Sequence, residues 1–422
     1  MTFPGLYLLV FFIEFVLETG AVITGAITTE LSMRNLLIYG GLLIAIFQII
    51  TGKKISMQKQ LRTALFIFLA VVFYALITMT FPEILDLKGY SFTIAFAAIK
   101  NDIFDGLVVV FLSNFFLRKE AHILWLINAM LLVVGVGSAL TFLDATLFHG
   151  LCFGLMKETL RARGVFGEPN QTAAALALFF PVVLSFIASD QKRLVNLAIV
   201  TALLLGLLAT GSRGGMVGYL VGAMSLLYTM RKTISIQKRI LIILLMVLGI
   251  CLAWAILPDL YRDQIMSRLG ILVSDKATAR DMSAGRTMLW EDVLKVWSIN
   301  PIFGIGWHGF QDMYHVATHN LYLEYLVGIG MVGLSLILFG WYKLLRYLVV
   351  MSKFGDKKQR ASIQGIVAGC LGLLAALMFV NLYKPWLIVW AFLGPMTALC
   401  NLRFNQQVKA LKMRSITPAV QS

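Results

Sequence analysis

The chain has 422 residues, 59% of them hydrophobic and only 14% charged, with a formal net charge of +15. A soluble domain carries about 25% charged residues. This composition, with a mean hydropathy of +0.85, excludes that class and indicates an all-α polytopic integral membrane protein.

Apolar runs close to the ~20 residues needed to cross a bilayer predict about twelve spans: 5–27, 36–50, 63–80, 94–116, 122–143, 171–188, 194–210, 214–230, 240–257, 320–348, 363–380 and 386–401. The first lies in "MTFPGLYLLVFFIEFVLETG". With no basic region or small-residue cleavage site ahead of it, the run reads as a retained helix rather than a signal peptide. It carries Glu14 and Glu18 one turn apart. The fourth is weakened by "AAIKNDIFDG", which sets Lys100, Asp102 and Asp105 inside it. Intramembrane charges are functional by default, so these five residues suggest either an ion or proton path, as in a transporter, or a structural ion pair between the two helices. The tenth is long, and Gly328 and Gly330 are placed to divide it into a short entry helix and a proper span. The four cysteines, Cys152, Cys251, Cys370 and Cys400, show no CxxC spacing and read as buried thiols, with no disulfide framework. No repeat, low-complexity tract or soluble domain interrupts the chain, so residues 1–422 form a single membrane domain.

Orientation follows from the basic residues. With the N-terminus in the cytoplasm, one side collects most of the lysines and arginines, from Lys53 and Lys54 through Arg231, Lys232, Lys353 and Arg360 to the C-terminal tail. Its acids are Glu120, Asp190 and Asp356 alone. The positive balance therefore orients the protein in a membrane and implies no nucleic-acid partner. Both termini are expected in the cytoplasm. The far side holds the connection 144–170, the turn 211–215 and a large loop, 258–318. Long loops in compact proteins are usually functional, so any chemistry is expected to be extracytoplasmic.

Three motifs on that side carry it. In "ATGSRGGMVG", Arg213 stands among Gly211, Gly214 and Gly215, where a helix N-terminus and a guanidinium suit an anion such as phosphate. In "SAGRTMLWEDVLKVWSINP", Leu289, Val293 and Val296, with Trp290, Leu294 and Trp297, follow helical spacing. This predicts an amphipathic helix on the outer membrane face, with tryptophans at headgroup level. Arg286 falls in its first turn, where the helix dipole disfavours a cation unless an anion is bound beside it. In "THNLYLEYLVGIGMVG", His319 and Asn320 open the tenth span. Asparagine is a favoured cap, and histidine can accept a proton near neutral pH. His308, Asp312, His315 and His319 also include an H-x3-H metal spacing, but no HExxH accompanies it, and a metal site is not expected.

Taken in order, "GVFGEPNQ", "GSRGG", "GR" at Gly285 and Arg286, and H-N-x9-G-x2-G from His319 to Gly333 resemble the O-antigen ligase and polysaccharide polymerase superfamily. The resemblance covers mainly residues 160–345. It implies a GT-C-type glycosyltransferase that needs no metal or other cofactor and works with inversion. The implied donor is an undecaprenyl-diphosphate-linked glycan. The implied acceptor is a sugar hydroxyl, on lipid A core in a ligase or on another lipid-linked glycan in a polymerase, with the ligase slightly favoured. Arg213 and Arg286 would hold the donor diphosphate, and His319 would orient or deprotonate the acceptor hydroxyl. Arg161 and Arg163 would add a contact, and Asn320, Glu168 and Glu324 would support the site. Such an enzyme sits among the lipids of the bacterial inner membrane with its active site on the periplasmic face.

Overall fold

A computed structural model describes residues 3–12, 33–54, 57–156, 161–256 and 286–416. Glu14, Glu18, Gly285 and the first part of the large loop lie outside the described residues. The first half of the chain supplies helices α1 (Phe3–Phe12), α2 (Met33–Ile50), α3 (Lys59–Thr78), α4 (Phe81–Ile84) and α5 (Phe92–Ile99). A π-turn at Lys100–Phe104 then leads into α6 (Asp105–Phe116) and α7 (Glu120–Thr146). The second half supplies α8 (Pro169–Ala188), α9 (Arg193–Thr210), α10 (Arg213–Thr229), α11 (Ile236–Ile256), α12 (Arg286–Trp297), α13 (Gly309–Tyr314), α14 (Leu321–Met351), α15 (Lys357–Ala376) and α16 (Trp386–Ile416).

Among the described residues, six helical stretches are long and apolar enough to cross a membrane: Lys59–Ile84, Glu120–Thr146, Pro169–Ala188, Arg193–Thr210, Leu321–Met351 and Trp386–Val408. The protein is thus all-helical in these residues and has the build of a polytopic membrane protein.

Helix α8 is the hub. Nearly all of its apolar length is buried, and α9, α10 and α15 pack around it. Small residues make that closeness possible, as in membrane helix pairs generally. A Cβ on Gly218 of α10 would lie 2.8 Å from the Gly372 carbonyl oxygen of α15, and one on Gly372 would lie 2.7 Å from the Gly218 oxygen. Side chains on either glycine would push the two backbones apart. Elsewhere Trp341, Trp386 and Trp390 stack beside Phe68, joining α14 and α16 to α3.

The long tenth run is broken at Gly330, which sits at φ 64°, ψ −172° inside α14. Only glycine adopts that conformation readily. The break opens the helix ladder, and the preceding loop fills the gap. Ile305 and Gly306 donate to the carbonyls of Val327 and Gly328, while Met331 and Val332 donate to those of Pro301 and Ile302. A Cβ on Gly330 would lie 2.2 Å from the Ile302 oxygen, and one on Gly304 would lie 2.3 Å from the Gly328 oxygen. The spacing x9-G thus marks where the loop is grafted onto the helix.

One expectation needs correction. Cys370 and Cys400 are buried, but Cys152 is only half-buried and Cys251, on α11, is exposed. The apolar face of α12 packs on protein: Val293 and Val296 are buried against Ile305, Phe310 and Val327. Its tryptophans donate to carbonyls of the same loop, Trp297 to Pro301 and Trp290 to Thr318. Each indole N–H finds an acceptor inside the fold, so neither ring depends on headgroups for one.

Candidate active site

Three chain segments meet near one end of α8. The first is the loop 161–168. Glu168 caps α8, its carboxylate accepting from the Gln171 amide at 2.6 Å and from the Asn170 side chain at 2.8 Å. Arg161 donates to the Asn170 side-chain oxygen at 2.8 Å and to the Thr210 carbonyl at 2.6 Å. This ties the first segment to the second, the α9–α10 turn. There Gly211 adopts φ 56° to end α9, and Ser212 caps α10 by accepting from the Gly215 amide. The Ser212 hydroxyl also donates to Asn170 at 3.0 Å. Arg213 follows as the first residue of α10.

The third segment runs from α12 to the start of α14. Trp290 donates to the Thr318 carbonyl at 2.9 Å. Arg286 lies one helical turn before Trp290, on the same face of α12. His319 itself is held at φ 52°, an uncommon conformation for a residue with a side chain. Thr318 stabilises the turn around it: its hydroxyl approaches the Asn320 carbonyl at 2.9 Å and the Asn381 side chain at 3.0 Å. Asn320 then caps α14, accepting from the amides of Tyr322 and Leu323.

Electrostatics connects the segments. Burial, then the like charge of Arg213, lowers the pKa of Arg286, with Glu168 acting in the opposite sense. Burial, then Arg286, pulls His319 below the ordinary histidine value, again opposed by Glu168. Arg286 thus lies within electrostatic range of Arg213, Glu168 and His319, and His319 within range of Glu168. The arrangement provides two guanidinium groups beside an imidazole biased towards its neutral, proton-accepting form. That suits binding an anion and taking a proton next to it.

The remaining candidates divide. Arg161 buttresses the α9–α10 turn. Arg163 lies at Gly154 and donates its backbone N–H to the Gly154 carbonyl. Glu324 is buried and accepts from Asn381 at 3.2 Å. It belongs with a second polar cluster that sequence reasoning did not assemble. There His308 Nε2 lies 3.3 Å from the Asp102 carboxylate, and Tyr383 packs against the His308 ring. Burial works against a charged His308, but Asp102, Glu324 and Asp312 outweigh it and raise the pKa. Lys100 pairs with Asp105 at 2.8 Å, and Tyr39 of α2 donates to the same carboxylate. Lys100 and Asp105 are thus paired within the fold. Among the described residues, no group of three or more His, Cys, Asp or Glu side chains is arranged to hold a metal. Thr318 and Asn170 were both visible inside the quoted motifs, but nothing in their spacing distinguished them.

A family described as O-antigen ligase matches residues 197–338, a stretch that contains Arg213, Arg286 and His319. The motif resemblance and this match agree on the O-antigen ligase and polymerase superfamily. No relative is matched among the curated proteins.

Proposed function

Because residues 197–338 carry an O-antigen ligase family domain, we propose that the protein transfers a glycan from undecaprenyl diphosphate to an acceptor sugar hydroxyl, in the manner of an O-antigen ligase. The reaction takes place on the periplasmic face of the bacterial inner membrane, in a GT-C-type enzyme of about twelve spans with both termini in the cytoplasm. The observation that carries this reading is the family match over residues 197–338, which include Arg213, Arg286 and His319, supported by the hydrogen bonds that join the loop 161–168 to the α9–α10 turn and α12 to Thr318.

The chemistry follows from those side chains. The acceptor oxygen attacks the anomeric carbon from the face opposite the diphosphate and forms the new glycosidic bond. The bond from that carbon to the diphosphate oxygen breaks, which inverts the centre. The hydroxyl proton passes to His319, whose neutral form is favoured. Arg213 and Arg286 offset the charge developing on the departing diphosphate, where preorganised donors are usually the largest single catalytic contribution. Glu168 moderates the mutual repulsion of the two arginines. Both substrates are lipid-anchored, which is why the imidazole is placed where a loop enters a membrane helix.

The test is a reconstituted assay in EDTA with undecaprenyl-diphosphate-linked glycan, offering lipid A core and further lipid-linked glycan together. Glycan appearing on the core supports the ligase reading. A ladder that stays on undecaprenyl diphosphate means a polymerase built on the same site. Wild-type protein that transfers to neither, or His319→Ala turning over at the wild-type rate, would sink the proposal.

A further inference from the structure

The helices that begin at the candidate active site end together at a second feature. Helix α10 runs from Arg213 to Thr229, 17 residues, or about 25 Å at 1.5 Å per residue. Helix α14 starts beside His319 and ends at Met351. Helix α15 runs the opposite way, and the Leu377 carbonyl just beyond its end accepts from the Leu321 amide at 3.0 Å. The far ends of α10 and α14 and the start of α15 therefore lie at the opposite face of the protein from His319.

A cavity of about 460 Å³ opens there. It is lined by Arg231 and Lys232 after α10, Lys353 after α14, and Arg360 on α15, with no carboxylate among its lining residues. Arg360, Gln364 and Val367 share one face of α15 and form the floor, with Val367 buried. The Nε of Arg360 is buried and has no hydrogen-bond partner among the described residues. Nearby, the Arg231 guanidinium is held over the Tyr228 ring at 3.8 Å.

A cytoplasmic excess of basic residues accounts for lysines and arginines on this side. It does not account for four of them from three separate segments surrounding one acid-free cavity, one with an unanswered buried donor. The walls above the cavity are apolar and outward-facing. Leu220, Met224 and Tyr228 on α10, and Leu338, Phe339, Tyr342 and Val349 on α14, are all exposed, as side chains that face acyl chains would be.

We propose that this cavity binds the phosphate headgroup of an anionic phospholipid, whose acyl chains lie along α10 and α14. Basic pockets between membrane helices are suited to such headgroups. The site is separate from the transfer centre, and its occupancy does not depend on the reaction assigned there.

The test is native mass spectrometry of the full chain in neutral detergent, titrated with phosphatidylglycerol, phosphatidylcholine or inorganic phosphate. Phosphatidylglycerol is expected to bind in preference to phosphatidylcholine, and each of Lys353→Gln and Arg360→Gln is expected to weaken it about fivefold. Lys353 is exposed, so its variant tests the site without endangering the fold. Equal retention of the two lipids, or unchanged binding in both variants, would overturn the proposal. Displacement of phosphatidylglycerol by equimolar inorganic phosphate would also overturn it, by showing a site for free anions.

Discussion

Trp290 donates its indole N–H to the carbonyl of Thr318 at 2.9 Å, and this one bond fixes α12 to the residue before His319. Arg286 and Trp290 are four residues apart on the helix, so they share a face. The bond therefore ties the face of α12 that carries Arg286 to the residue before His319.

Trp290→Phe keeps the aromatic bulk and removes the donor. An unmatched carbonyl costs about 1–3 kcal/mol when buried, and α12 loses its fixed position. Glycan transfer is expected to fall about tenfold, while thermal unfolding in detergent moves by only a few degrees. Unchanged transfer would mean that other contacts hold Arg286.

Arg213→Lys keeps the charge and discards the planar fork that grips two phosphate oxygens. Turnover is expected to drop by about two orders of magnitude, measured as product formed per minute at saturating donor. Full activity would argue against bidentate contact with the diphosphate.

The pH profile has a definite sign. His319 sits below the ordinary histidine value because of burial and the neighbouring Arg286. A base with a lowered pKa stays neutral further into acid, so the acid limb of the rate is expected below about pH 6.5. Arg286→Gln removes the repelling charge, raises the imidazole pKa and moves that limb to higher pH in the residual activity. Glu168→Gln moves it the other way. Limbs that coincide in all three proteins would remove His319 from the proton transfer.

Gly330→Ala is expected to destabilise the protein by about 3 kcal/mol or more. It combines an unfavourable backbone conformation with a Cβ 2.2 Å from the Ile302 oxygen. Gly40→Ala is the control: it lies inside α2, and a Cβ there meets nothing within 4 Å. Denaturation monitored by circular dichroism should separate the two, and similar stability in both would undermine the account of the grafted loop.

Much of this architecture was legible in the sequence because membrane helices announce themselves by length and hydropathy. The run 194–210 appears as Arg193–Thr210, and 171–188 as Pro169–Ala188. Arg286 is helical, and Gly330 does break the tenth run. What hydropathy conceals is how polar groups are matched across the chain. The π-turn at Lys100–Phe104, the approach of Asp102 to His308 and the junction of Thr318 with Asn381 join residues from 5 to 206 positions apart on geometry alone. Amphipathic periodicity gives the apolar face of a helix, but not whether lipid or protein covers it.

The large loop is secured twice, by Trp290 near its middle and by the ladder that Pro301–Gly306 shares with the broken α14. One anchor ends on the residue before His319 and the other on the helix that follows it. The arginine expected to hold the leaving group and the imidazole expected to take the proton therefore stand on segments tied to each other within the fold. On the proposed transfer, two lipid-borne substrates would have to fit these anchored segments, so differences in rate between donors are expected to follow how readily each glycan bends at its reducing-end sugar.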